Sequence, residues 1–275
     1  AYEMLRSLVG SEMCIREQTN PGPNLGHSPC WKIIQSQDTV EQELLAHARK
    51  SEVGRFLFGH EFLHYAESAD GIAVTGRRLD TGETLTWQAR YLIAADGAAS
   101  SVRRQADIEM RGPATLAVMA NEFWQADLSQ VRDSATCAGW RVYAKESPYP
   151  ITTVLNTNGK DRWLNLLPVG RETDERTGAR SDAEVVQLAR TVSGVPNLEV
   201  KVINRSVWRM SRQVAANFRR GRVLLVGDSA HRFPPNGGYG MNSGIQDAHN
   251  LAWKLAFVLS GRASVRLLDS YESER

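Results

Sequence analysis

The segment from Arg222 to Ala256 joins a strand-like run to a carboxylate and then to a loop rich in glycine and proline: RVLLVGDSAHRFPPNGGYGMNSGIQDAHNLAWKLA. Asp228 follows an apolar run that is typical of a strand buried on both faces. A carboxylate at the carboxyl end of such a strand commonly holds a sugar hydroxyl. The segment therefore predicts a binding site for a sugar-containing ligand at Asp228.

The loop after Asp228 has the composition needed for close approach to a flat ligand. Pro234 and Pro235 remove two backbone donors, and the glycines after them permit positive φ. A helix is predicted next, with Asn242 or Ser243 as N-cap and Gly261 as its stop. Its first N–H groups are unpaired and attract negative charge. The residues predicted to form its apolar face are Ile245, Ala248, Ala252, Leu255, Ala256 and Leu259.

A simpler interpretation of this loop stays open. A tight turn between a strand and a helix also needs glycine and proline, and an aspartate after a strand is often an N-cap. The nearest match to the dinucleotide fingerprint GxGxxG, from Gly238 to Gly244, has one residue too many. The loop alone therefore does not separate a binding site from a plain turn.

A second strand-like segment, Tyr91 to Arg104, reads YLIAADGAASSVRR and also ends in an acidic residue. Together with Gly227-Asp228 and the segment PPNGGYGMNSGIQDAHNLAWKLA, it resembles the flavoprotein aromatic hydroxylases, the para-hydroxybenzoate hydroxylase-like class of FAD-dependent monooxygenases. Two long motifs occur in the right order at about the right separation. The residues that match the DG motif of that family are Asp96, Gly97, Ser100, Ser101 and Arg103.

The resemblance implies an α/β (α+β) fold: an incomplete FAD-binding Rossmann-like domain of the para-hydroxybenzoate hydroxylase type with an inserted sheet-rich substrate domain. Members begin with a strand, a GxGxxG loop and a helix, and nothing upstream of Gln35 supplies them. We therefore expect this chain alone to bind FAD weakly or not at all. The predicted domains are an atypical leader at 1–28, a partial FAD-binding domain with the DG motif at 29–108, a sheet-rich substrate-binding domain at 109–207, and the return of the FAD-binding domain at 208–275.

The leader has two interpretations. Val9 to Arg16, VGSEMCIR, resembles translated sequencing-adapter read-through, which would make it an artefact. An ordinary surface segment is the alternative.

The resemblance also implies roles for individual residues. In the family the aspartate of the Gly227-Asp228 motif hydrogen-bonds the ribityl chain of FAD. The residues implied along the isoalloxazine are Pro234, Gly237, Gly238 and Gly240, and those implied to present N–H groups to its N1/O2 edge are Met241 and Asn242. The residues implied for the FAD pyrophosphate region and nicotinamide access are Asp96, Gly97 and Arg103. Gln37, with Gln35 as the alternative, is implied to touch FAD, although a solvent-facing residue at a helix start is an equal interpretation.

The implied reaction is hydroxylation of a small aromatic substrate, phenolic or polyketide-type. NAD(P)H reduces the FAD, O2 adds to form a flavin 4a-hydroperoxide, and one oxygen atom passes to the ring. No catalytic side chain is identified, and we interpret His231 as structural. The pocket candidates are Trp124, Arg141, Tyr143, Trp163 and Asn165, with plain core as the alternative. A halogenase or reductase of the same fold and a non-catalytic fragment are the rival functions.

Composition excludes several other classes of protein. The 33 Lys and Arg nearly balance the 31 Asp and Glu, without a run of like charges, so we expect no nucleic-acid partner. The cysteines Cys14, Cys30 and Cys137 lack metal-ligand spacing, which favours a cytoplasmic protein without a metal site. No apolar run is long enough for a bilayer, so no membrane partner is expected.

Other elements follow from local patterns. Asp38 to Lys50 and Asp182 to Val192 have helical periodicity. Asp70-Gly71 and Thr81-Gly82 punctuate alternating apolar residues and predict hairpins. Short strand-like runs recur between Pro113 and Val207 and predict a sheet-dominated module.

Overall fold

The computed structural model describes residues 11–15, 35–131, 139–143, 151–170 and 180–275. Most of the predicted leader, at 1–10 and 16–28, lies outside these residues, as do Cys30 and Cys137. The elements in chain order are β1 (Ser11–Ile15), α1 (Gln37–Ala48), β2 (His60–Glu67), β3 (Ile72–Arg78), β4 (Thr84–Ala89), β5 (Leu92–Ala94), α2 (Ser101–Gln105), β6 (Met110–Arg111), β7 (Ala117–Gln125), β8 (Gly139–Tyr143), β9 (Ile151–Asn156), β10 (Arg162–Gly170), α3 (Asp182–Ser193), β11 (Lys201–Met210), β12 (Gln213–Ala215), β13 (Arg219–Arg220), β14 (Val223–Leu225), β15 (His231–Arg232), α4 (Tyr239–Leu259) and α5 (Ser270–Glu274).

Contacts divide the chain into two compact units. The sheet unit contains Ala1–Gly54 and Ala117–Arg209, and the motif unit contains Arg55–Leu116 and Met210–Arg275. The four segments expected from the sequence stay predictions.

The described strands of the sheet unit lie in the order β1-β8-β9-β10-β7-β11. Side chains alternate between buried and half-exposed from Trp140 to Tyr143 of β8 and from Arg162 to Pro168 of β10, as expected for a sheet with one covered face. On the covered face Trp163 lies opposite Trp124, and Asn165 lies opposite Glu122. Trp140 Nε1 donates to the Val192 carbonyl of α3 at 2.9 Å, which fixes this helix over that face.

The helix predicted at 182–192 is confirmed as α3. It begins with a capping box in which Ser181 Oγ accepts from the Glu184 N–H, while the Glu184 carboxylate accepts from the Ser181 N–H. Gly194 ends it at φ 72°, a left-handed conformation that glycine adopts without strain.

The helix predicted at 38–50 is confirmed as α1. Arg162 contacts Asp38 at 3.1 Å, and the Ser36 N–H donates to the Thr157 carbonyl at 3.3 Å. No residue of α1 is buried within the described chain.

The motif unit contains both acidic motifs. Its hairpins are confirmed, since β2, β3 and β4 pair in antiparallel register through the turns at Gly71 and Gly82. β5 and β14 pair in parallel, with Ala94 beside Leu225. Val223, Leu224 and Leu225 are fully buried, which confirms the strand predicted before Asp228.

The long helix after the loop is confirmed as α4, but its predicted start and buried face are wrong. It begins earlier than expected because Gly238, at φ 68°, is the N-cap in place of Asn242 or Ser243. Ile245 is 46% exposed. Of the predicted face only Leu255 is buried, and the other buried residues of α4 are Asp247, Leu251 and Lys254. The apolar periodicity mispredicted the buried face because Asp247 and Lys254 are buried with partners outside the helix.

Among the described residues, no helix combines the length and the hydropathy that a bilayer crossing requires.

Candidate functional site

The two acidic motifs lie side by side at the carboxyl ends of β5 and β14. The Val226 N–H donates to the Ala94 carbonyl at 3.0 Å, and Ser229 Oγ donates to the same oxygen at 2.6 Å. Neighbouring parallel strands thus bring Asp96 and Asp228 to one edge of the sheet. Such an edge is where ligands bind in α/β folds.

The Asp96 carboxylate accepts hydrogen bonds from residues at the start of α2. Ser100 Oγ and Ser101 Oγ donate to it, and the Val102 N–H donates at 3.0 Å. Burial raises the pKa of this carboxyl, but the bonds from Ser100 and from the Val102 amide outweigh that effect, so its pKa is lowered. Asp96 is therefore an ionised cap at the start of α2.

Arg103 links the two motifs by hydrogen bonds to a backbone carbonyl oxygen in each. Its guanidinium is 5% exposed and donates to the carbonyl oxygens of Ala98 at 3.5 Å and Ser229 at 3.2 Å. Its Nε is buried and has no partner among the described residues. Burial lowers the pKa of Arg103, and the nearby guanidiniums of Arg232 and Arg104 lower it further. The cluster is thus cationic.

Gly227-Asp228 forms a short 3₁₀ turn after β14. Gly227 has φ 59°, in the left-handed region that favours glycine. The Asp228 side chain is exposed, and it accepts no hydrogen bond from any residue that the structure describes. Unlike Asp96, it is available to a ligand.

The loop from Pro234 to Gly238 delivers the chain to the start of α4. Gly237 and Gly238 have φ 87° and 68°, so both need the freedom of glycine. A side chain at Gly238 or Gly240 would meet nothing within 4 Å, which leaves open space along this backbone. Pro234 is half-buried beside it.

The first turn of α4 faces the same open space. The N–H groups of Tyr239, Gly240 and Met241 have no intrahelical partner. Asn242 donates through Nδ2 to the Gly238 carbonyl at 2.8 Å and so stabilises the cap. The helix end presents partial positive charge.

These features fit FAD, the cofactor that the sequence implies. A free carboxylate accepts from a hydroxylated chain, open glycine backbone admits a flat ring, and unpaired N–H groups favour an anionic edge. No group of side chains able to hold a metal ion occurs in the part of the chain that the structure describes.

Asp247 is a site residue that the sequence did not single out. It is fully buried and accepts from the Gly227 N–H at 2.9 Å, His231 Nε2 at 2.7 Å and Arg275 Nε at 2.8 Å. Burial raises the pKa of its carboxyl, but the bonds from His231, Arg275 and Gly227 outweigh that effect, so its pKa is lowered. The only sequence signal was an acidic residue within the motif GIQDAHNL.

Gln37 belongs to the sheet unit, whereas the other site residues belong to the motif unit. It is exposed at the start of α1, and its Nε2 donates to Glu41 Oε1 at 2.6 Å. Its contact with FAD, and that of Gln35 as the alternative, stay predictions.

Comparison with known proteins gives the family. The sequence model of a family described as FAD binding domain matches residues 10–275. The chain belongs to this FAD binding domain family. The predicted α/β FAD-binding fold is thereby confirmed. The matched range begins inside the segment 1–28, whose separate status stays a prediction.

This FAD binding domain is similar to proteins of Streptomyces. It is 36% identical over 264 residues to a putative polyketide hydroxylase of Streptomyces coelicolor, covering 94% of this chain and 41% of that protein. It is 38% identical over 267 residues to tetracenomycin A2 monooxygenase-dioxygenase of Streptomyces glaucescens, covering 93% and 46%. The chain therefore spans about half the length of these curated relatives.

Solved structures support the same fold. The flavin-dependent monooxygenase PieE, in complex with FAD and substrate, aligns with a TM-score of 0.82 at 31% identity, over 91% of this chain and 44% of that one. An aklavinone-11 hydroxylase with FAD and aklavinone aligns with a TM-score of 0.80 at 31% identity, over 90% and 46%.

Proposed function

We propose that the protein carrying this chain is an FAD-dependent monooxygenase that hydroxylates a phenolic or polyketide-type aromatic substrate with NAD(P)H and O2. The observation that carries the proposal is the free carboxylate of Asp228 beside open glycine backbone, in a chain of the FAD binding domain family. The similar proteins named as polyketide hydroxylases support the substrate class. The proposal includes a cytoplasmic location, where NAD(P)H is available.

In this proposal the motif unit holds the flavin. Asp228 accepts from a ribityl hydroxyl, and the N–H groups around Met241 and Asn242 stabilise negative charge on the isoalloxazine edge. Pro234 and Gly240 line the ring. FAD supplies the hydride acceptance and the oxygen activation. The protein orients the ring and keeps water away from it.

The cationic cluster serves the phosphates in this proposal. Arg103 carries a buried guanidinium whose partners are carbonyl oxygens rather than a carboxylate, so its charge is available to a pyrophosphate. Asp96 and Gly97 act beside it by shaping the turn. Gln37 adds a polar contact to FAD from α1.

The substrate binds, we propose, on the open face of the sheet unit. The candidates Trp124, Trp163 and Asn165 are 0% exposed on the covered face, so they act as core. The half-exposed residues of the opposite face are Phe123, Arg141, Tyr143, Leu155, Leu164 and Leu166.

This open face suits planar rings. Aromatic and aliphatic side chains bind an aromatic ring through its faces and edges. Arg141 Nε is buried and has no partner among the described residues. A guanidinium in such a setting can stack on a ring or bind a phenolate.

Labelled dioxygen tests the reaction. NAD(P)H oxidation should be slow without substrate and rise when a phenol or a fused-ring polyketide phenol binds, and the product should carry one oxygen atom from ¹⁸O2. A parallel incubation in H2¹⁸O controls for exchange. A product without new oxygen indicates a reductase. Label confined to water or peroxide across the whole panel contradicts hydroxylation.

A further inference from the structure

One buried carboxylate contacts both flanks of the proposed FAD-binding aspartate. Asp247 Oδ2 accepts from the Gly227 N–H, on one side of Asp228, and from His231 Nε2 on the other. Asp247 is fully buried, so it cannot itself reach a ligand. Its contacts form a clamp around the turn from Gly227 to His231, called the Asp247 clamp below.

The backbone of α4 lies directly against this turn. A Cβ built on Gly244, one helical turn before Asp247, would come within 3.4 Å of the Gly227 Cα. A Cβ built on Gly227 would in turn lie 3.8 Å from the Gly244 Cα, so the two backbones are in close van der Waals reach of each other. This approach brings the Asp247 carboxylate within reach of the Gly227 N–H.

The Asp247 carboxylate is also held by Arg275, the residue after α5. Arg275 Nε donates to Asp247 Oδ1 at 2.8 Å, and Arg275 Nη2 donates to the Ser243 carbonyl at 3.3 Å. Both oxygens of Asp247 are thus engaged. A buried ionised group with all its hydrogen bonds satisfied is strongly oriented.

His231 has one defined protonation site in this arrangement. Its ring packs against Phe218 and Phe233, with centroid distances of 5.7 and 4.9 Å, and its Nδ1 has no partner among the described residues. The Nε2 proton is therefore the one that Asp247 orients, as carboxylates do for imidazoles elsewhere.

We propose that Asp247 is a positioning residue that fixes the turn at Gly227 and thereby holds the Asp228 carboxylate where it binds FAD. This inference rests on the proposed function for the role of Asp228. Without the clamp, Gly227 is free to leave its left-handed conformation, because glycine has many alternatives. The Asp228 carboxylate would then still be present, but it would no longer be held where it binds FAD.

The decisive variant is Asp247→Asn, which keeps the side-chain shape but removes the charge and one acceptor. Glu274→Gln is the matched control, because Glu274 also ties α4 to α5, through Asn250 and Lys254. Among the described residues, Glu274 contacts Asn250, Lys254 and Ser270, and none of these lies in the turn. Both variants keep side-chain size and remove one carboxylate.

Three readouts are compared in the whole protein that carries this chain. Amide hydrogen exchange of the peptide 226–232 should become about tenfold faster in Asp247→Asn, which corresponds to about 1.4 kcal/mol of local opening. The FAD dissociation constant, from flavin fluorescence titration, should rise by a similar factor. Glu274→Gln should leave both within about twofold, and the ¹⁵N signals of the His231 ring should shift only in Asp247→Asn.

Asp247→Glu gives the rescue test. It keeps the charge and both acceptors, so part of the FAD affinity should return. If Asp247→Asn does not fold, His231→Leu takes its place, because it removes one of the contacts of the clamp. Amide exchange and FAD affinity are measured in the same way. His231→Leu should speed exchange at 229–232 and weaken FAD severalfold.

The proposal is overturned if the exchange of 226–232 is unchanged in these variants, or if FAD affinity falls equally in Glu274→Gln. If the whole wild-type protein that carries this chain binds no FAD, that result contradicts the proposed function instead. In that case the exchange and the His231 signals still decide whether Asp247 holds the turn.

Discussion

Two aspartates follow neighbouring parallel strands in the motif unit, and their surroundings differ. Asp96 accepts from two serine hydroxyls and the amide of Val102. Asp228 accepts from no residue that the structure describes. The same residue type at the same edge of a sheet is thus a helix cap in one case and a free acceptor in the other.

The two aspartates show that a structural carboxylate is distinguished from a ligand-binding one by the protein donors it accepts from, not by its position in a motif. A carboxylate has a limited number of acceptor sites. Asp96 accepts from three donors that follow it closely in sequence, Ser100, Ser101 and Val102. The acceptor sites of Asp228 are left for a ligand, while the buried Asp247 holds its neighbours.

The largest expected effect comes from Asp228→Ala. A hydrogen bond to a charged acceptor contributes about 1.5–3 kcal/mol, so in the whole protein that carries this chain the FAD dissociation constant should rise by about ten- to one-hundredfold. Thermal unfolding without FAD should change little, because no described residue depends on this side chain. Fluorescence titration measures the affinity.

Asp228→Asn is the control, since it retains one acceptor oxygen and should recover part of the binding. An unchanged dissociation constant in Asp228→Ala would show that the exposed carboxylate has no ligand role.

Asp96→Ala should reverse the pattern. Removing a helix N-terminal acceptor typically costs about 0.5–2 kcal/mol of unfolding free energy, and the FAD affinity should fall far less than in Asp228→Ala. Urea unfolding followed by circular dichroism gives the first quantity, and titration gives the second. If Asp96→Ala lost FAD as strongly as Asp228→Ala at unchanged stability, the contrast between the two aspartates would be wrong.

The smallest effect is in the pH dependence of stability. Because folding lowers the pKa of Asp96, its contribution is present above its ordinary pKa of 3.8 and is lost as the pH falls through the lower folded value. In Asp96→Ala the free energy of unfolding should therefore fall less steeply as the pH is lowered below 3.8. Equal acid limbs in wild type and variant would show that Asp96 is not an ionised cap.

Local patterns predicted the elements that carry the site. The buried strand before Asp228 and the hairpins at Gly71 and Gly82 follow from apolar runs and turn residues, and the structure has them. These features depend on neighbours in sequence. Helix α4 was predicted for the same reason.

Long-range partners account for what the sequence could not predict. The buried face of α4 carries Asp247 and Lys254, whose partners include His231, Arg275 and Glu274. Apolar periodicity assigns charged residues to the solvent side, so the buried face was predicted at the wrong position around the helix axis. The same limit applies to Trp124 and Trp163, whose alternation in the sheet did not reveal which face is covered.

Hydrogen exchange with and without FAD tests the central claim most directly. If FAD binds through Asp228, the loop and the start of α4, the peptides covering 226–242 should exchange more slowly with FAD. The hairpin strands at 60–89 serve as the internal reference and should not change. Protection of 60–89 with none at 226–242 would contradict the account.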